Sequence, residues 1–289
     1  MNKLGLVILI ILVVGIATAV FLYSMARTTV TTKTTAANSD NPSLNYQTVG
    51  TVKIYNTSAL IPFLSEYINN SYIELTPQVV EYGILYFIKI DNISGVIGYF
   101  KGGMLSSFAF TQLNQTLTSH GFKYAEYQNL LYDYNNKTAI GFDGKYFYLV
   151  HESAKNQTLT INLLYYLYES NKTFSPMQTN IIATGTFEKG NFTAYANNSQ
   201  IIVKAYFEGN FSILAKLLKF FSFTTSNFSA TGNVVFKNAT VEVYSLNITS
   251  NGKTLYILIG FKEAEQNIVY AVGVISSQQI SLKEVLSLL

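Results

Sequence analysis

The sequence predicts an α+β fold in which an N-terminal transmembrane helix precedes two tandem antiparallel-sheet units with helices packed on one face. Three observations lead to this prediction. Residues 4–23 are apolar and uncharged, strand-like segments alternate with Asp-Gly and Asn-Gly turns, and a block of 20 residues aligns without a gap, at low identity, with a second block 107 residues later. The regular β–α alternation that a doubly wound parallel sheet requires is absent.

The apolar segment is long enough to cross a membrane. At a rise of 1.5 Å per residue, a helix of 20 residues spans ~30 Å, which matches the hydrocarbon layer. A cleavable signal peptide has a shorter apolar stretch of ~7–15 residues, so residues 1–27 predict a cytoplasmic tip and an uncleaved membrane anchor. Small residues at Ala17 and Ala19, and at Ser24 and Ala26, leave cleavage open as the alternative.

Residues 28–45 predict an extended stalk between the helix and the body. Six of the eight residues from Thr28 to Thr35 are threonine, and so polar a tract cannot bury enough apolar surface to fold. The sequence leaves open whether this stalk carries O-linked sugar or is an unmodified linker.

The acceptor pattern for N-linked sugar, Asn-x-Ser/Thr, places the body outside the cell. It occurs 13 times, whereas about five matches are expected from the Asn, Ser and Thr content. All follow the apolar helix, and N-glycosylation takes place on the exported side, which predicts a single-pass protein of the cell membrane with an extracellular C-terminal body. The predicted glycosylation sites are Asn56, Asn69, Asn92, Asn114, Asn136, Asn156, Asn171, Asn191, Asn197, Asn210, Asn227, Asn238 and Asn247.

The body reads as a duplication, with units at 46–152 and 153–289. Residues 83–102 align without a gap with residues 190–209, at an offset of 107, and both blocks end in Tyr-Phe-x-Gly. Further along, Asp143-Gly144-Lys145 is matched to Asn251-Gly252-Lys253. Strands are predicted at 84–90, 96–100, 123–133, 138–142 and 145–151, and at 229–236, 239–248, 254–261 and 268–275.

Apolar residues at helical spacing predict the packed helices. Leu105, Phe108, Ala109 and Leu113 share one face of the first of these, and Gly121 provides its C-terminal stop. The predicted helices cover 60–67, 105–117, 161–168 and 213–221, with a short helix after Ser281.

Composition excludes several classes of chemistry. The chain has no cysteine, so disulfides, zinc-thiolate sites and thiol nucleophiles are excluded. Arg27 is the only arginine and no basic face is evident, which argues against nucleic-acid binding. His120 and His151 lack metal-binding spacing, and the Ser-x-x-Lys match at Ser250 and Lys253 contains an Asn-Gly turn where that motif requires a helix. No enzyme activity, cofactor or metal is predicted.

The chain resembles surface glycoproteins of thermoacidophilic archaea in its single N-terminal helix, Thr-rich stalk, lack of cysteine, low charge and dense sequons. Residues Lys3-Leu4-Gly5 before Leu6 are also similar to the cleavage site of archaeal pilin-like precursors. These resemblances leave three hypotheses. The body has a non-enzymatic surface role with a protein partner in the cell envelope, or binds a solute or polysaccharide beside a transporter, or belongs to a pilin-like or secretion system.

Overall fold

The computed structural model describes residues 46–60, 76–174, 176, 180–196, 199–208, 229–250, 253–264 and 267–289. The predicted anchor and stalk, the predicted helix at 213–221 and nearly all of that at 60–67 lie outside these residues. Among the helices in the described ranges, none has the length and apolar character needed to cross a membrane.

The described residues of unit 1 are 46–57, 76–174 and 176. They contain seven strands: β1 Gln47–Ile54, β2 Val80–Ile90, β3 Ile93–Gly102, β4 Lys123–Tyr127, β5 Leu130–Tyr134, β6 Thr138–Phe142 and β7 Tyr146–Glu152. These strands are antiparallel and lie in the spatial order β1-β2-β3-β7-β6-β5-β4. The last strand in sequence, β7, is therefore central and pairs with both β3 and β6.

The described part of unit 2 contains seven further strands: β8 Ile181–Phe187, β9 Gly190–Ala196, β10 Gln200–Glu208, β11 Ser229–Lys237, β12 Val241–Ser250, β13 Lys253–Ala264 and β14 Ile268–Ser276. They repeat the arrangement of unit 1, in the spatial order β8-β9-β10-β14-β13-β12-β11. The last strand, β14, is again central and pairs with β10 and β13.

The aligned blocks occupy equivalent ladder positions in the two units. Gly83 of β2 pairs with Phe100 of β3, and Gly190 of β9 pairs with Phe207 of β10, so the register agrees with the 107-residue offset. Both glycines make room for the phenylalanine opposite, because an added Cβ would lie 2.3 Å from Cδ1 of Phe100 and 2.7 Å from Cβ of Phe207. A glycine opposite a phenylalanine thus occupies the equivalent position in both units.

The predicted match between the two Gly turns is wrong by one strand. Asp143-Gly144 connects β6 with β7, whose counterparts in unit 2 are β13 and β14. Residues 251–252 instead lie between β12 and β13. Asp-Gly and Asn-Gly favour tight hairpin turns wherever they occur, so the turn type alone does not identify the pair of strands that it joins.

The described residues contain three helices longer than one turn: α1 Ser106–Ser119, α2 Gln157–Glu169 and α3 Leu282–Leu288. Each helix has a capping residue or a glycine stop at one end. Gly121, at φ 84°, follows the end of α1, and the side chains of Asn156 and Ser281 cap α2 and α3 by accepting from the backbone N–H three residues on.

The prediction of an α+β fold with helices on one sheet face is wrong. Fourteen antiparallel strands dominate the described residues, and the helices are few and short. Moreover, α1 and α2 lie on opposite faces of unit 1, because consecutive residues of a strand point in opposite directions. Phe147 of β7 contacts Phe110 of α1, whereas the adjacent Tyr148 contacts Tyr168 of α2.

Each unit has its own apolar core. In unit 1, Leu163, Leu164 and Leu167 of α2 pack with Tyr148 and Val150 of β7, all nearly inaccessible to solvent. In unit 2, Val285 of α3 packs over β12, β13 and β14 with the buried side chains of Val243, Leu258, Val272 and Val274. On α1 the buried aromatic residue is Phe110, and Phe108, which was predicted to face the core, is exposed.

Candidate functional site

The predicted glycosylation sites fall into three groups by exposure. Asn56, Asn114 and Asn247 are half-buried, and Asn69, Asn197, Asn210 and Asn227 lie outside the described residues. The remaining six are exposed: Asn92, Asn136, Asn156, Asn171, Asn191 and Asn238.

At two exposed sites the asparagine accepts a hydrogen bond from the backbone through its side-chain oxygen, and this contact does not use the amide nitrogen. Asn238 follows β11, and its Oδ1 accepts from the backbone N–H of Val241 at 2.6 Å. Asn156 caps α2, and its Oδ1 accepts from the backbone N–H of Leu159 at 3.2 Å. N-linked sugar is attached to Nδ2, so both contacts are compatible with modification.

Asn114 has a different environment, because its amide is directed into the protein. Its Nδ2 donates to Oδ1 of Asp133 at 3.3 Å, and Asp133 is completely buried on β5 beneath α1. Among the residues that the structure describes, no group forms a hydrogen bond with the other carboxyl oxygen, Oδ2. Burial raises the pKa of Asp133 to about 6, against a partial lowering by the Asn114 amide. This carboxyl group is therefore poorly suited to carry a charge.

A second candidate site is an open cavity of about 390 Å³ in unit 1. Four separate segments build it: the end of α1, the start of β4, the β5–β6 turn and the loop leading into α2. Among the described residues, three lysines and no acidic residue line the cavity. The lining residues are Gly121, Lys123, Tyr134, Asn135, Asn136, Lys137, Lys155 and Gln157.

Local hydrogen bonds fix the turn that carries Lys137. The side chain of Asn135 accepts from the backbone N–H groups of Lys137 and Thr138, at 3.0 and 2.9 Å. Next to it, His151 contacts Thr138 through Nδ1 at 2.8 Å, and burial together with the Lys137 charge lowers the pKa of His151. The three lysines that line the cavity disfavour a further cation there and favour an anion.

The remaining candidates from the sequence lie at a helix end and in a pair of antiparallel strands. Nδ1 of His120 contacts the carbonyl oxygen of Thr116 at 2.7 Å, at the end of α1. Ser250 pairs with Lys253 across the β12–β13 hairpin, which confirms that this Ser-x-x-Lys match is not on a helix. Within the described ranges, no group of three His, Cys, Asp or Glu side chains could hold a metal ion.

The sequence alone does not predict the lysine-lined cavity. Its lysines come from three separate segments, the start of β4, the β5–β6 turn and the loop before α2, and they form no run of charge in the sequence. Only the strand order of unit 1, which brings the β5–β6 turn beside the loop after β7, places them together.

No family model matches the chain, and no curated protein matches it. Similar solved structures include TP0453 in crystal form III, with a TM-score of 0.37 and 13% identity over 85% of this chain and 96% of that one. Crystal form IV gives a TM-score of 0.33 and 12% identity, over 81% and 91%. The apo immunity protein TplEi of the T6SS from Pseudomonas aeruginosa gives 0.24 and 10%, over 74% and 95%. At these TM-scores the likenesses carry no argument about this chain.

Proposed function

We propose that this is a membrane-anchored extracellular glycoprotein with a non-enzymatic interaction role at the cell surface, meeting a protein partner in the cell envelope. The observation that carries the proposal is the exposure of six of the nine described sequon asparagines, distributed over both units. Sugars at these positions would extend from turns, a helix start and strand surfaces without displacing a core side chain. The pilin-like alternative depends on residues 3–6, which lie outside the described residues.

Glycosylation predicts a specific pattern of occupancy. We expect the exposed sites Asn92, Asn171 and Asn238 to carry sugar, and Asn114 to stay bare because its amide faces the buried Asp133. Peptide mass spectrometry of protein purified from native membranes measures this site by site. An intact mass equal to the bare chain of 32.2 kDa would rule the proposal out, and occupancy confined to Asn114 would contradict its structural basis.

The lysine-lined cavity favours one second candidate function: binding of an anionic solute or polysaccharide. Three cationic side chains with no acid among the lining residues would attract carboxylate, sulfate or phosphate groups. A sugar on Asn136 would project from the rim of this cavity, so glycosylation there and ligand binding would compete for the same space.

This candidate predicts a salt-dependent affinity that is lost when charge is removed. The chain should bind dextran sulfate but not neutral dextran, and Lys123→Gln/Lys137→Gln should weaken binding by about tenfold or more. The exposed pair Lys53→Gln/Lys89→Gln, in β1 and β2, changes the net charge equally and should have little effect. Titration calorimetry at two salt concentrations measures both. Equal losses in the two double variants would mean that the cavity has no special role.

A further inference from the structure

One cross-strand row of side chains differs sharply between the two units. In unit 1 the row runs from Ile84 of β2 to Tyr99 of β3 and Tyr148 of β7, each directly opposite the next. All three are at most 4% exposed. Helix α2 covers this row, since Tyr168 meets the Tyr148 ring edge-on with the ring centroids 5.9 Å apart.

The equivalent row of unit 2 is open to solvent. It runs from Asn191 of β9 to Tyr206 of β10 and Tyr270 of β14, again in direct opposition. Tyr206 is 40% exposed and Tyr270 is 45% exposed, and their ring centroids lie 6.5 Å apart. Pairs of aromatic side chains contribute most to stability when they are removed from water. An exposed pair at this position therefore suggests that another group packs over the two rings.

Helix α3 follows the last strand of unit 2 as α2 follows that of unit 1, but it is shorter. It has seven residues and packs over Val272 and Val274, farther along β14 than Tyr270. Helix α2 has 13 residues, a length of about 20 Å against about 10 Å for α3. The extra turns of α2 reach the tyrosine row, and α3 lacks them.

The exposed row itself contains an acceptor for sugar. Asn191 stands where unit 1 has the buried Ile84, and it belongs to the sequon Asn191-Phe192-Thr193. In a strand the residues i and i+2 share a face, so Asn191 and Thr193 lie on the side of the tyrosines while Phe192 is buried on the other side. Side chains directly opposite each other have Cβ atoms ~4.5–5.5 Å apart, within reach of the first sugar ring.

We propose that the N-linked sugar on Asn191 packs across Tyr206 and Tyr270 and covers in unit 2 the surface that α2 covers in unit 1. The inference rests on the proposed glycosylation of this body. A pyranose ring has an apolar face of C–H groups, which suits the face of a tyrosine ring, and its hydroxyl groups remain in water. The sugar thereby serves as a structural element of unit 2 in addition to decorating its surface.

The first test measures whether the sugar shields the tyrosines. The full chain is produced in a glycosylating host, with and without Thr193→Val, which removes the sequon but keeps a β-branched side chain. Both proteins are treated with tetranitromethane, which nitrates exposed tyrosine side chains. Peptide mass spectrometry then measures the sugar occupancy of Asn191 and the rate at which each tyrosine is nitrated. We expect Tyr206 and Tyr270 to lose most of their reactivity only when Asn191 is occupied, whereas Tyr124 of unit 1 reacts equally in both proteins. Thr173→Val removes the exposed sequon at Asn171 and should change neither tyrosine.

The second test measures coupling between sugar and ring. Thr193→Val should lower the melting temperature by about 2–4 °C when Tyr206 and Tyr270 are present, and by less than about 1 °C in a Tyr206→Ser/Tyr270→Ser background. A bare Asn191 in otherwise glycosylated protein overturns this inference and leaves the glycoprotein proposal standing. An occupied Asn191 with unchanged nitration and additive melting temperatures also overturns the inference alone. Absence of sugar from every site overturns both.

Discussion

Replacing Phe100 or Phe207 by alanine should destabilise the protein by about 3–5 kcal/mol in each case. The two side chains occupy equivalent positions at the ends of β3 and β10, with exposures of only 8% and 3%. Each faces a glycine on one neighbouring strand and a buried apolar residue on the other, Phe147 and Val269 respectively. Truncation would leave a cavity that a glycine opposite cannot fill.

Urea unfolding followed by circular dichroism measures the effect, and each variant should shift the transition of the unit that contains it. The adjacent charged residues provide matched controls, because Glu208 is exposed and Lys101 is only half-buried. Glu208→Ala and Lys101→Ala should change the free energy of unfolding by no more than about 0.5 kcal/mol. A Phe207→Ala variant as stable as the parent protein would show that the paired glycine and phenylalanine do not anchor unit 2.

The buried carboxyl group of Asp133 should make the protein more stable in mild acid than at neutral pH. Its pKa is raised from 3.8 to about 6 in the folded protein, mainly by burial. Below pH ~4 the carboxyl is protonated in both the folded and the unfolded chain. Between pH ~4 and ~6 the unfolded chain loses this proton more readily, so its contribution to stability falls as pH rises and is lost above the folded-state pKa.

Removal of the ionisable group should abolish this component of the pH dependence. Asp133→Asn should match the parent at pH 3.5 and be more stable by about 1–3 kcal/mol at pH 8, after allowance for solvent screening. Urea unfolding at half-unit pH intervals gives both profiles. Glu126→Gln on β4 removes one exposed carboxylate and should preserve the parent profile. A parallel shift of the Asp133→Asn and parent curves at all pH values would contradict the assignment.

Local sequence patterns predict the positions of many strands, but they do not predict on which face of the sheet each helix packs. The β2–β3 hairpin is predictable because the glycine at position 83 and the Tyr-Phe-x-Gly sequence at 99–102 recur at 190 and 206–209. By contrast, the predicted strand at 123–133 is two strands, since Gln128 adopts φ 54° and turns the chain without a glycine or proline to announce it. No pattern noted in the sequence predicts strands β1 and β8.

The face of the sheet on which each helix packs is determined by contacts between residues that are distant in sequence, so a local sequence pattern does not predict it. Tyr146-Phe147-Tyr148 places aromatic side chains on both faces of β7. The sequence pattern therefore does not show whether helices pack on one face of this strand or on both. The same limit applies to the candidate sites. Asp133 has an unremarkable sequence context, and its burial follows from the position of α1 over β5, just as the cavity lysines meet only through the strand order.

The central position of the last strand has a consequence for the order in which each unit assembles. Neighbours in sequence, such as β2 with β3 and β4 with β5 and β6, can pair through short turns as soon as they are synthesised. The sheet of unit 1 remains two separate pieces with unpaired edges until β7 enters between them, and β14 closes unit 2 in the same way. We therefore expect formation of the non-local β3–β7 and β10–β14 ladders, rather than of the hairpins, to limit the folding rate.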